Sequence, residues 1–201
     1  MKRFAFPILT LWLAAGLTAA DTYTADASHS HVGFAVSHMV IAKVKGSFTE
    51  FSGTLIYDAK DLTRSSIRGR IAAASINTGN AQRDDHLRSA DFFDAEKFPD
   101  ILFESVKVVK RGTGHAVLGR LTIRGVTKEV EIPFTITGTV KDPWGGERLG
   151  VEASPLTIDR RDFGLTWNKA LEAGGVVVGH TVTLELAGEF VKEKPKEPEA
   201  K

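Results

Sequence analysis

The sequence predicts an all-β fold with a short helical lid, in the form of an antiparallel barrel or sandwich. Three observations lead there. Apolar and polar residues alternate with period two in nearly every patterned segment, most cleanly in Val130, Ile132, Phe134, Ile136, Gly138 and Val140 against Glu129, Glu131, Pro133, Thr135, Thr137 and Thr139. Short turns join these segments with no helical-period stretch between most of them, so neighbouring strands pair antiparallel. One stretch, residues 75–105, breaks the alternation and packs charges and aromatics into a compact block.

Taken in order, Tyr23 to Asp26 is a first short strand. Val32, Phe34, Val36 and His38 share one face of the next, and Val44, Gly46 and Phe48 one face of the third. Phe51, Gly53, Leu55 and Tyr57 follow after a change of phase, which predicts a bulge near Glu50. Asp58-Ala59-Lys60-Asp61 is a turn, and Ile67, Gly69, Ile71 and Ala73 face inward beyond it. In the lid, Thr78 or Asn80 caps a short helix, Asp84 and Arg88 form an i,i+4 pair, and Pro99 ends any helical run. Ile101, Phe103 and Ser105 resume the sheet; Val117, Gly119, Leu121 and Ile123 return after Arg111–Gly114, and Arg124-Gly125-Val126 turns tightly into the cleanest strand. Pro133 within that strand predicts an edge, a bulge or irregular pairing. Asp142–Gly146 is a turn before Leu149, Val151 and Ala153. Arg160–Leu165 breaks the pattern and reads as a surface ion-pair corner, and Val182, Leu184, Leu186, Gly188 and Phe190 close the chain. The total is roughly eight or nine strands, and periodicity does not choose between barrel and sandwich. Six glycines on the apolar parity (Gly46, Gly53, Gly69, Gly119, Gly138, Gly188) lean towards a hollow barrel, since an inward glycine leaves room; relief of strand curvature is the alternative.

The ends read differently. Lys2 and Arg3, an apolar run from Phe4 to Leu17 and small residues up to Ala20 make residues 1–20 a signal peptide cleaved after Ala20, and the expected location the periplasm. No cysteine follows, so lipid attachment there is excluded. Residues 192–201, rich in Lys, Glu and Pro, are an expected disordered tail, which leaves 21–191 as one domain. Without the leader the formal charge moves from +1 to −1, because Lys2 and Arg3 leave with it. A near-neutral chain with no basic block argues against nucleic acid as a partner. With no cysteine, stability comes from packing and not from disulfides.

Several blocks resemble a known family. They are His29-Ser30-x-Val32-x-Phe34-x-Val36-x-His38; Gly46-x-Phe48 with Gly53; Ser75-Ile76-x-Thr78-Gly79 with Arg83-Asp84-x-His86-Leu87 and Asp91-Phe92-Phe93; Phe98-Pro99-x-Ile101-x-Phe103-x-Ser105; Gly119 to Lys128; Arg161-x-Phe163-Gly164-Leu165; and Val178-Gly179-His180-x-Val182. Together they resemble the YceI-like family of exported polyisoprenoid-binding proteins, from Asp21 to about Val191. His180 departs from the pattern, where an acidic residue is expected. The resemblance implies a lipocalin-like antiparallel β-barrel, an elongated apolar cavity for a polyprenyl phosphate or isoprenoid quinone, a homodimer, and transient membrane contact. No cofactor is expected beyond the bound lipid.

On that reading Phe34, Phe48, Phe103 and Phe134, all on inward parities, form the lipid-binding wall, and Phe92, Phe93 and Trp167 form the mouth. His38, Arg83 and His86 are headgroup candidates, since arginine offers phosphate a planar fork of donors; the alternative for the lid charges is an ion-pair network that only seats the helix. A secreted hydrolase with zinc on His29, His31 and either His38 or His86 is the alternative, and it ranks below the carrier because His31 lies on the outward parity and no spaced carboxylate completes the set. No nucleophile elbow or phosphate-cradling glycine loop occurs, so no catalytic or metal residue is assigned. A packed structural β-domain is the remaining alternative.

Overall fold

The structure, a computed structural model, describes residues 20–172 and 174–194. The expected leader lies outside the described residues except Ala20, and the expected tail lies outside them except Lys192, Glu193 and Lys194. The described chain forms strands β1 (Asp21–Ala25), β2 (His31–His38), β3 (Ala42–Phe48), β4 (Phe51–Tyr57), β5 (Ser66–Ala72), β6 (Ile76–Asn77), β7 (Asp100–Arg111), β8 (Gly114–Ile123), β9 (Val126–Lys141), β10 (Glu147–Ala153), β11 (Leu156–Asp159) and β12 (Val178–Lys192), with one α-helix, α1 (Ala81–Arg88).

Register reduces this to eight staves. β1 and β2 are one interrupted stave, because β1 pairs β4 at Tyr23↔Leu55 and β2 pairs β3 at Gly33↔Ser47. Likewise β4 pairs β5 at Phe51↔Ile71, while β3 pairs β6 at Phe48↔Ile76. β12 binds along both edges, to β1 and β2 on one side and to β10 and β11 on the other. The ring closes with every neighbour sequential and antiparallel. Closure removes the sheet edges, which is the solution a single apolar-faced sheet needs.

The breaks have local causes. Asp26 accepts from Ser28 N (3.0 Å) and caps the 3₁₀ turn Ala27–His29, which interrupts the first stave while Asp26 N still donates to Glu189 O of β12 (2.8 Å). At the predicted change of phase near Glu50, Ala72 N donates to Glu50 O (2.9 Å) and Thr49 N to Ser75 O (3.1 Å), so the corner is stitched across the gap. Pro133 pairs with Ala116 of β8, and its carbonyl accepts from Ser154 N, where β10 has just ended. The absent proline N–H therefore falls where the ladder is already broken. Arg124 and Gly125, with φ of 50° and 72°, make the two-residue turn between β8 and β9 that this twist requires.

Some expectations change. Gly138 is not an inward vacancy: its φ is 152°, and the pairing of β9 with β10 slips just beyond Gly150↔Gly138, which marks an irregularity in the ladder. Leu156–Asp159, not anticipated, is a strand. Arg88 pairs with Asp85 (2.8 Å) and not with Asp84, because Asp84 is buried and accepts from Thr78 N (2.9 Å) and Thr78 Oγ1. Of the two candidate caps, Asn80 is the one used, accepting from Arg83 N at 3.0 Å.

At the end of the barrel away from α1, Tyr23, Leu55, Leu149 and Phe190 pack into a buried plug. Beside it Arg148 bridges three carboxylates: Asp26 (2.8 Å), Asp142 (2.9 Å) and Glu189. Bonds from Ser28, His29 and Arg148 hold the Asp26 carboxyl far below the usual carboxylate range, and Arg148 first of all depresses Asp142. Groups with depressed folded-state values stabilise the fold above their unfolded range, near pH 4, and the contribution is lost as pH falls through the folded values. Arg148→Met is thus expected to lower the thermal midpoint by several degrees at pH 7, with the deficit shrinking below pH 4 as the carboxyls protonate. Calorimetry of both proteins across pH 2.5–7 checks this, and a deficit that stays constant with pH overturns it.

Candidate functional site

The inward faces do not fill the barrel. A cavity of about 330 Å³ runs through it, within the size range of small-molecule sites. Its wall takes residues from all three apolar clusters: Phe48 and Ile101 near α1, Val108 and Ile132 on the side, Leu55 and Phe190 by the plug. No aspartate or glutamate lines it; the charged or titratable members are His31, Tyr57, Arg68 and Arg160.

Glycines shape this space in two ways. At Gly46, Gly119 and Gly188 the room left by the missing side chain is taken by the rings of Phe34, Phe103 and Phe190, which lie flat on the wall. Gly53 and Gly69 are cross-strand partners, and an added Cβ would meet no atom closer than 3.5 Å at the first and 3.8 Å at the second. Here the glycines leave open volume.

Each expected site residue has a definite place. Phe34, Phe48, Phe103 and Phe134 line the cavity, and so do Phe92 and Phe93 from the lid segment. Phe48 meets Phe34 and Phe93 at 5.9 and 5.8 Å between centroids. Trp167 is outside the wall; it meets His86 edge-on (4.8 Å between ring centroids) and Phe92 at a tilt (5.2 Å). His86 sits between those rings and bonds Asp91 at 2.8 Å. Arg83 donates to Thr78 Oγ1 (2.7 Å) and Thr78 O (2.9 Å), which seats the helix. His38 ends β2 opposite Val178. None of His38, Arg83 and His86 is in the cavity wall, and the structure does not bring the three together as a headgroup pocket.

The sequence reading missed Arg160. It is not part of a surface corner; Arg161 alone makes that ion pair, with Asp159 at 2.5 Å. Arg160 is 4% exposed and lines the cavity. Its guanidinium donates to the carbonyls of Gly179 (2.9 Å), Trp167 (3.0 Å), Val178 (3.3 Å) and Leu165, and lies 6.0 Å from the Phe92 ring centre. Burial pushes its pKa down against the opposing pull of the nearby Asp159 carboxylate, and among the described residues no carboxylate lies within ion-pair distance of it. The signal was present: Leu156 and Ile158 face the cavity, and period two carries Arg160 onto the same face. Arg124, bonded to the same turn, clips the lid by donating to Ala90 O (2.7 Å) and Gly164 O (2.8 Å).

The histidines of the zinc alternative are not gathered. His31 and His38 stand at the two ends of β2, about 23 Å apart for seven steps of extended chain. Among the described residues, Asp26, His29 and Glu189 are grouped closely enough to share an ion, and the Arg148 guanidinium already bonds both carboxylates.

The chain is matched from residue 23 to 190 by the family model described as the YceI-like domain. It is 38% identical over 168 residues to a UPF0312 protein of Staphylococcus aureus, covering 84% of this chain and 96% of the relative. Among solved structures it resembles BcnA of Burkholderia cenocepacia, with TM-score 0.72, 23% identity, and 82% and 98% of the two chains covered. It also resembles a polyisoprenoid binding domain from Saccharophagus degradans, with TM-score 0.62, 19% identity, and 85% and 98% covered. At these identities the two solved structures speak for the fold.

Two outcomes follow from the cavity. Gly69→Leu is expected to hold or raise the thermal midpoint, since a strand gains a packed side chain, while lowering uptake of an apolar probe about tenfold. Parallel melting and fluorescent-probe titration check it, and unchanged uptake counts against an open interior at Gly69. Arg160→Met strands several carbonyls and is expected to lose about 3 kcal/mol in urea unfolding.

Proposed function

The chain belongs to the YceI-like family, and from that footing we propose that it is a non-catalytic binding protein that carries the apolar tail of an isoprenoid or similar amphipathic lipid inside its barrel. The observation that carries the reading is the cavity itself: set inside the barrel, walled mainly by aliphatic and aromatic side chains, and free of carboxylates.

The energetics set the requirement. An acyl or prenyl tail leaving a bilayer loses about 0.8 kcal/mol for each CH₂ exposed to water, so ten groups amount to about 8 kcal/mol. No single polar contact offsets that. A sleeve as apolar as the bilayer does, and because the exchange is then nearly neutral the lipid is released as readily as it is taken. The polyisoprenoid ligand named for the Saccharophagus degradans domain fits such a space, and the guanidinium of Arg160 suits a phosphate or quinone oxygen better than a cationic head. Export to the periplasm, with cleavage after Ala20, belongs to the same proposal and rests on the leader pattern of residues 1–20.

Two measurements decide it. Mass spectrometry of an organic extract of the purified protein is expected to find a prenyl lipid, and delipidated protein is expected to take up a short-chain prenyl phosphate. Phe134→Asp, which places a charge in the wall, is expected to abolish uptake while leaving the fold's circular dichroism unchanged. Protein that yields no lipid and takes up none would falsify the proposal.

A further inference from the structure

The turn between β2 and β3 is the least economical piece of surface in the molecule. Met39, Val40 and Ile41 are consecutive, large and apolar, and are 42%, 69% and 88% exposed. Single exposed apolar residues are ordinary; three in a row at a strand tip are not. The backbone is also strained there. Met39 and Val40 take φ of 49° and 67°, a left-handed conformation that a β-branched residue adopts only at a penalty and that Asn or Gly would adopt freely. A sequence free to choose turn chemistry has instead placed its apolar residues where the strain turns them outward.

The surroundings add charge. Lys43 and Lys45 are exposed on β3 directly after the tip. Met39 N donates to Val177 O (2.8 Å) and Val177 N to Lys169 O (3.0 Å), so a third exposed lysine lies two backbone steps across. Glu172, on the loop between Lys169 and Val177, is the acid on that side. The tip also stands at the rim of the cavity: His38 pairs with Val178, and Val36 and Val178 both line the cavity wall.

We propose that the Met39-Val40-Ile41 tip, with Lys43, Lys45 and Lys169, is a docking wedge that seats the cavity rim on an anionic phospholipid surface. The apolar residues enter the boundary between headgroups and acyl chains, and the lysines lie against the phosphates. Trp144, 84% exposed, is the natural contrast. It sits in the turn after β9, at the opposite end of the barrel, about 40 Å away along β12, beside Asp142 and Arg148 in a mixed-charge setting. The purpose of docking rests on the carrier reading, but its test does not.

The experiment is vesicle flotation of the purified protein from which the leader of residues 1–20 has been removed, so that its apolar run cannot itself bind the vesicles. Vesicles of phosphatidylcholine containing phosphatidylglycerol are compared with phosphatidylcholine alone, at low and high salt. The wild type is expected to float with the anionic vesicles and to be released by salt. Ile41→Ser is expected to weaken binding about tenfold, Val40→Asp further, and Trp144→Ser not at all. Ile41 carries no packing duty, so its variant stays folded, and equal thermal midpoints verify that. Equal binding to neutral vesicles, an unaffected Ile41→Ser variant, or equal losses at Trp144 each overturn the proposal. So does a variant whose oligomeric state changes by sedimentation while vesicle binding does not, since the tip then belongs to a second copy of the chain. Uptake of a prenyl phosphate from detergent solution, measured on the same proteins, keeps the two ideas apart: it should be equal in wild type and Ile41→Ser, and its absence in both would strike the carrier reading and not the wedge.

Discussion

Two-sided pairing of β12 is the constraint on which the rest of the structure depends. Its outer half bonds β1 and β10, its inner half β2 and β11, so one strand ties the beginning of the domain to its end. A sheet closed in this way has one interior, walled laterally by the strands. Eight staves give an interior wide enough either to be filled by side chains or to hold one small ligand. Which of these occurs is decided by the side chains on the inward parity. Rings resting on glycines line the wall without crossing it, and the Gly53–Gly69 pair leaves volume where a leucine or valine would fill it.

The lid shows how polar residues serve an apolar site without entering it. Asn80 caps α1, Asp84 holds Thr78, Arg83 bonds Thr78, and Arg88 donates to the carbonyls of Ala74 (2.7 Å) and Ile76 (3.1 Å). These contacts fix the segment so that Leu87, Phe92 and Phe93 face the cavity. The charge cluster is therefore largely spent on geometry. A buried cation of the wall comes from the other side of the rim, where Arg160 is held by the carbonyls of Gly179 and Trp167. Carbonyl ligands stabilise a buried guanidinium, and the neighbouring Asp159 carboxylate favours its charged form.

How much of this was legible in the sequence follows from how local each signal is. Period-two alternation is a property of adjacent residues, and it placed the strands, the inward phenylalanines and the helical break. The lid cap was readable for the same reason, as Asn80 acts on Arg83 three residues on. Contacts between distant segments were not readable. Nothing near Arg148 says that Asp26 and Glu189 converge on it. Gly138 was misplaced because a slip in register changes which face a residue occupies without altering the pattern before it. Arg160 was misplaced for a different reason: its charge was given more weight than its parity.

Asp21 and Lys192 face each other across the seam of the ring, joined by an ion pair of 2.6 Å, and Glu193 N donates to Thr22 O at 2.8 Å. The two ends of the domain therefore meet on the pole that holds the tyrosine plug. A short peptide bridging them would leave the hydrogen-bond lattice intact, so the order in which the staves are synthesised is separable from the order in which they pair. Circular permutants opened at the Arg111–Gly114 turn would keep the same ring, and tethers or fluorophores attached at that pole would hang clear of the rim that carries α1.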